Sequence, residues 1–305
     1  MVDVLIVENL WFAFGSHLLN IKWAMMHALK HNYRFYYKNN NYPIFLDGTV
    51  EYYFKSFSTI TDSELKEAIH HKYIKPVNGE EILTWKPDAF DTYNDFYQHL
   101  LEIIYRPSEF IEYMLSKNKL LQEIIINKIK YIGLHIRLSD KIAGPYKESD
   151  FIPLEKYVDS CIQVRNKLNI NTIILCSDTI DAVNWVVDYN SKLKEPFIVL
   201  YNTEEVRCKD DWTDSFSVKA RDNKLSLNQL QDEMITCFIN FEYLLKAEIL
   251  VGNFDSGFIY AAVEYRNNIK DINVNTKPPL WSIKEIHLSR NGFPETVSPD
   301  SKGSV

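Results

Sequence analysis

Tyr131-Ile-Gly-Leu-His-Ile-Arg-Leu-Ser-Asp-Lys141 is the stretch on which the reading of this chain turns. Ile129 to Ile136 is an apolar, β-rich run, and within a few residues it presents His135, Arg137, Asp140 and Lys141. A buried parallel strand reads as a short apolar run, and open α/β sheets bind their ligands beyond the C-terminal ends of such strands. Two cations and an imidazole there suit a phosphorylated ligand, with the carboxylate orienting them. A surface ion pair after an ordinary strand is the competing explanation, and residue types alone weigh the two evenly.

Outward from this stretch, strands alternate with helices. Downstream, the spacing predicts a helix over 153–168, opened by Pro153, a strand Thr172–Cys176 ending in Ser177-Asp178, and a helix over 179–189. A strand Pro196–Leu200 follows, then a polar loop from Tyr201 to Leu225 that is too long for a plain connection. A long amphipathic helix, Ser226–Lys246, leads to a strand Glu248–Val251 and the turn Gly252-Asn-Phe-Asp-Ser-Gly257 before a helix Phe258–Tyr265. Upstream, Val2–Val7 reads as a strand, Phe14-Gly-Ser-His17 as a glycine turn heading a helix, and Arg34–Tyr37 as a second strand. Thr61-Asp-Ser-Glu64 has the form of a capping box. Helices are expected at 92–105 and 108–127, and His70, His71 and His99, which fall in helical surroundings, are read as structural. This alternation predicts parallel, doubly wound sheets in two units. The boundaries are 1–128, 129–290 and a loose tail over 291–305, with a cleft between the units.

Composition narrows the function. A chain of 305 residues with 46% hydrophobic and 25% charged content is globular, and its 19 Tyr and 17 Phe mostly fill cores. A net charge of −7 argues against a general nucleic-acid binder but leaves room for a local phosphate pocket. Cys161, Cys176, Cys208 and Cys237 are widely spaced, which favours buried thiols over metal or redox use. Met1–Glu8 is too short and acidic for a signal peptide, and no apolar run approaches the ~20 residues that span a bilayer. A cytoplasmic setting is expected.

The loops 137–152, 177–178, 201–225 and 252–257 all follow strands, so the fold gathers them on one rim. Asp255-Ser256-Gly257 is an N-cap signal whose helix amides suit a diphosphate, although a plain cap is the commoner use. There is no P-loop, no G-x-G-x-x-G fingerprint, no D-x-D pair and no His/Cys metal spacing. A diphosphate would have to be neutralised by protein cations and helix ends, as in a metal-independent transferase.

Gly133-Leu-His-Ile-Arg-Leu-Ser-Asp-Lys141 and Phe151-Ile-Pro-Leu-Glu-Lys-Tyr157 resemble the α1,6-fucosyltransferases, whose motifs read G-V-H-V-R-R-T-D-K and F-H-P-I-E-E-Y. Phe14-Gly-Ser-His-Leu18 resembles their early G-x-G-x-Q-L/M loop, Ile174–Asp178 their strand with an acidic end, and Ala247–Ser256 their A-D-F-L-V-C-T-F-S-S. The matches fall in order over about 240 residues, and only the first is specific. The resemblance implies a GT-B-like α/β fold with two Rossmann-like domains facing a cleft. It also implies an inverting transfer from GDP-fucose to a glycan acceptor, with no metal and no further cofactor. On it, Gly15 belongs to the glycine loop, His135 sits at the nucleotide and Arg137 binds the β-phosphate. Asp140 and Lys141 brace that loop, Asp178 closes the acidic strand end, and Asp255 and Ser256 lie at the phosphates.

Three positions depart from the family pattern. Leu138 stands where the family has a second arginine. Ala143-Gly-Pro145 stands near where it has its base glutamate, leaving Glu148 or Asp150 to take that role. Asn240 stands where it has a guanine-reading aspartate. The departures keep two alternatives open: a donor with another nucleotide or sugar, and a catalytically silent glycan- or nucleotide-binding protein.

Overall fold

The structure is a computed structural model that describes residues 2–8, 14–38, 52–72, 85–144, 147, 149–209, 211–222, 224–268, 270–275, 287–289 and 293–295. In the first half, β1 (Asp3–Glu8) lies between β2 (Arg34–Lys38) and β3 (Ile69–Lys72), all parallel. Helix α1 (Phe14–Lys30) joins β1 to β2 and buries Leu18, Ile21, Met25 and Ala28 at helical spacing. Thr61 and Glu64 form the capping box of a one-turn helix, α2 (Asp62–Leu65). His70 and His71 lie on β3 rather than in helical surroundings, because pairing with β1 claims the segment.

Three helices follow: α3 (Tyr93–Ile104), α4 (Glu109–Lys117) and α5 (Lys119–Asn127). The single helix expected over 108–127 is divided at Asn118, whose Oδ1 accepts from Leu121 N–H at 2.8 Å and from Tyr243 Oη at 2.7 Å. A short amide side chain that bonds the backbone ahead of it starts a new helix there.

The second sheet is parallel throughout, in the order β6-β5-β4-β7-β8. Its strands are β4 (Ile132–Ile136), β5 (Thr172–Ser177), β6 (Ile198–Leu200), β7 (Ile249–Gly252) and β8 (Ile272–Asn273). Helices α6 (Leu154–Leu168) and α7 (Ile180–Ser191) cover the face carrying Leu134 and Ile136. Helix α8 (Phe216–Arg221) lies in the long loop, and α9 (Leu227–Lys246) and α10 (Gly257–Arg266) cover the other face. The order runs one way from β4 through β5 to β6 and the other way through β7, so the end of β4 is the switch point of the sheet. Among the tail residues, β9 (His287–Ser289) pairs antiparallel with β10 (Phe293–Glu295), so that part of the expected loose tail is a strand.

One apolar layer joins the halves. Leu5, Leu18, Phe96 and Leu100 belong to the same buried cluster as Phe238, Phe241 and Ile259. Phe14 meets Phe238 edge-on at 4.9 Å between ring centroids. The closest approach is at Gly15, which lies inside the first turn of α1 rather than in a turn ahead of it. A Cβ there would fall 2.3 Å from the carbonyl oxygen of Gly257 and 2.4 Å from Cα of Phe258. Both obstacles are backbone, so neither yields to a rotamer change. Gly15→Ala is expected to lower stability by roughly 1–3 kcal/mol or more, through overpacking. Urea unfolding that gives an unchanged midpoint would show that the helices separate freely.

Candidate functional site

The chain leaves β4 through a tight turn. His135 is the last polar residue of the strand, and Ser139–Lys141 form one 3-10 turn. Ser139 has φ 44°, a left-handed conformation uncommon for a non-glycine residue. Asp178, which follows β5, holds the turn there. Its carboxylate accepts from Leu138 N–H at 3.0 Å and from the Ser139 hydroxyl at 2.5 Å.

The same turn holds Arg137. Its Nη2 donates to Asp140 Oδ1 at 2.8 Å and to Ser217 Oγ at 3.4 Å, and its Nη1 lies 3.3 Å from Asp178 Oδ2. Burial opposes the positive charge, but Asp178 and then Asp140 outweigh it and hold the guanidinium charged above the ordinary arginine range. Contacts from the loops after β4, β5 and β6 therefore meet on one side chain, as the alternation of strands and helices predicts. Lys141, half-buried, closes the turn. Leu138 points into the core under α6 and α7, so the second cation of the related motif is replaced by an apolar anchor.

His135 is buried, and its ring stacks on Phe258 in the first turn of α10 at 5.5 Å. Burial and then the neighbouring Arg137 depress its pKa to about 3, so the imidazole is neutral. Its Nδ1 is buried without a hydrogen-bond partner. Asp255 and Ser256 sit where α10 begins. Asp255 accepts from Asn275 Nδ2 at 2.6 Å, and its N–H donates to Asn253 Oδ1 at 3.1 Å. Ser256 is the N-cap residue but its side chain makes no capping hydrogen bond, so the cap expected from sequence is not formed. Asp150 is exposed and pairs with Lys147 at 3.3 Å. Glu148, the other candidate base, lies outside the described residues.

Three charged residues were not anticipated. Glu205 pairs with Arg207 at 2.5 Å and accepts from Asn240 Nδ2 at 3.1 Å. Burial raises its pKa to about 8 despite Arg207. Glu233, one turn before Cys237 on α9, is raised to about 7, again by burial and against the pull of Arg137. Arg207 does not replace the missing cation. Its Nε donates to the Ser177 carbonyl at 3.1 Å and Nη1 to the Asn202 carbonyl at 2.9 Å, while Nη2 holds Glu205. One signal was available in advance: Glu233, Cys237 and Asn240 fall at helical spacing on α9, which puts a carboxylate on the face that carries Asn240.

Arg137 and Arg207 thus stand among Asp140, Asp178, Glu205 and Glu233. When the two glutamates are protonated the charges balance, and a further anion is accommodated more easily than when all four carboxylates are ionised.

No protein family matches the chain by sequence, and no curated protein does. Solved structures do match. Fucosyltransferase NodZ from Bradyrhizobium superposes with TM-score 0.50 at 11% identity, over 86% of this chain and 92% of the other. NodZ α-1,6-fucosyltransferase soaked with GDP-fucose gives 0.51 at 11%, over 87% and 93%. The chain has a fucosyltransferase-like fold. An Arabidopsis thaliana FUT1 variant in complex with GDP gives 0.53 at 8%, over 88% of this chain and 69% of the other. At identities this low the likeness shows the fold alone, in agreement with the α/β architecture. Among the described residues no three His, Cys, Asp or Glu side chains gather as a metal site, and no helix is long and apolar enough to cross a membrane.

The raised glutamates give a pH dependence with a definite sign. Both are neutral below their pKa values of about 7 and about 8 and ionised above them. Sulfate, a simple probe for an anion site, keeps its charge over the same range. Its affinity is therefore expected to fall on the order of tenfold between about pH 6 and about pH 9 at constant ionic strength. Calorimetric titration of sulfate checks this, and a flat or rising affinity would place both glutamates away from the bound anion.

Proposed function

We propose that the protein is an inverting, metal-independent glycosyltransferase that moves fucose from GDP-fucose to a glycan hydroxyl. The observation that carries the reading is Arg137, a guanidinium held charged by two carboxylates at the switch point of a fucosyltransferase-like fold. Structures that share the fold are of fucosyltransferases with GDP or soaked with GDP-fucose. On this reading, residues 129–290 hold the donor, residues 1–128 supply the acceptor side, and the cleft lies between them.

Breaking the sugar–phosphate bond builds negative charge on the leaving diphosphate. A guanidinium already oriented stabilises that charge more as it develops, which lowers the barrier rather than merely tightening binding. Neutral His135 can donate or accept at the nucleotide without adding charge. Glu148 or Asp150 serves as the general base that takes the proton of the acceptor hydroxyl while the sugar inverts. Gly15, Asp255 and Ser256 bring backbone amides of two helix starts to the phosphates, and Asp140, Asp178 and Lys141 brace the arginine turn.

Leu138 and Asn240 favour a second reading. With one cation fewer, and an amide in place of an acid, the site suits a donor with a different base or sugar. Incubating the protein with GDP-fucose and a panel of glycans, scored for GDP release, separates the two. Turnover with only a UDP- or ADP-sugar would sink the GDP-fucose assignment, and nucleotide binding without turnover on any acceptor would favour a silent binding protein. Arg137→Ala is expected to lower turnover on the order of 10²-fold or more, as loss of a transition-state contact does. Full turnover by that variant would remove the arginine from the mechanism.

A further inference from the structure

Helices α1 and α10 touch at two levels. At the first, Gly15 lies against the carbonyl of Gly257. Seven residues further along each helix, Lys22 Nζ meets Glu264 Oε2 at 2.6 Å. Seven residues are about two turns, so the helices run parallel with their first turns level. Level parallel helices bring two positive dipole ends together, an arrangement that repels unless an anion sits at the shared end or another contact holds it.

The contact that holds it is unusual. Lys22 is 0% exposed, although lysine is almost never fully buried. Its ammonium also donates to Tyr97 Oη of α3 at 2.6 Å and lies 4.2 Å from the centroid of the Trp23 ring. Gln98 of the same helix donates to the Glu264 carbonyl at 3.3 Å. Replacing a buried ion pair by apolar residues of similar volume is often neutral or stabilising, so stability alone does not account for this cluster. A directional polar contact adds to that packing a fixed register of one helix along the other. At the shared end, His135 lies against the first turn of α10, buried and with Nδ1 unpartnered.

We propose that Lys22 and Glu264 are positioning residues, registering α1 against α10 so that their paired N-termini form one anion-holding end for the donor diphosphate. The inference rests on the nucleotide-sugar reading above and adds a pair of residues two turns away from the chemistry. It also makes the phosphate site a joint product of both halves of the chain.

The test compares ligands with and without phosphate. Lys22→Met alone strands Glu264 and endangers folding, so the decisive protein is the triple variant Lys22→Met, Tyr97→Phe, Glu264→Met, which removes the ion pair and the hydroxyl bonded to it together. In a variant that unfolds cooperatively in urea, affinity for GDP is expected to fall on the order of tenfold while affinity for guanosine stays within about twofold. An unchanged ratio of GDP to guanosine affinity would make the latch purely structural and overturn the proposal. Inorganic pyrophosphate separates this outcome from failure of the functional reading. If the unaltered protein binds pyrophosphate but not GDP, the nucleotide reading fails, and loss of pyrophosphate binding in the triple variant still supports the latch. If the unaltered protein binds neither, the anion-holding end itself is refuted.

Discussion

The carbonyl oxygen of Gly257 occupies the space that a side chain at residue 15 would need, and much of the molecule follows from that contact. It presses the helix that opens the first half onto the helix that follows β7 in the second. The pair then carries a continuous apolar layer, from Leu5 and Leu18 through Phe14 to Phe238 and Phe241. It also places Phe258 under the His135 ring, so the polar end of β4 is built against a helix whose position the other half of the chain controls. Two sheets that share no strand are in this way parts of one packed body.

Around the end of β4, the arrangement favours a rigid cation over an abundance of cations. Arg137 is gripped by Asp140 and Asp178, and the Ser139 backbone accepts a left-handed turn to allow it. Such a group loses little entropy when it meets an anion, because its carboxylates have already ordered it. The cost is a surplus of negative charge. Burial relieves it by raising Glu205 and Glu233 toward neutrality, so the charge of the site is tuned by solvation as much as by residue identity. Leu138, facing the core, anchors the turn from beneath.

Much of the fold was legible in the sequence because it depends on local periodicity. The apolar runs that became β4, β5 and β7 are buried on both faces, and such strands announce themselves without reference to their partners. The gathering of Arg137, Asp140 and Asp178 followed from the same alternation, since parallel strands put all their ends on one rim. Misreadings occurred where a distant partner decides. Gly15 passed for a turn glycine, yet its requirement comes from residue 257. His70 and His71 are strand residues because β1 pairs with them, and Asn118 divides a helix with help from Tyr243. Glu205 and Glu233 carried no motif, because a raised pKa comes from desolvation that the folded chain creates.

By itself, the sequence determined the strand and helix order, the polar turn after β4 with its single motif arginine, and the departures at residues 138 and 240. All of these are written in short stretches whose hydrophobic pattern or residue types need no partner to be read. Tertiary structure alone decided the charge state of the site, the inward direction of Leu138 and the level, parallel pairing of α1 with α10. Each depends on burial and on contacts between residues far apart in the chain, such as Lys22 and Glu264. Desolvation and close approach are properties of the packed body, so they arise only once the chain has folded.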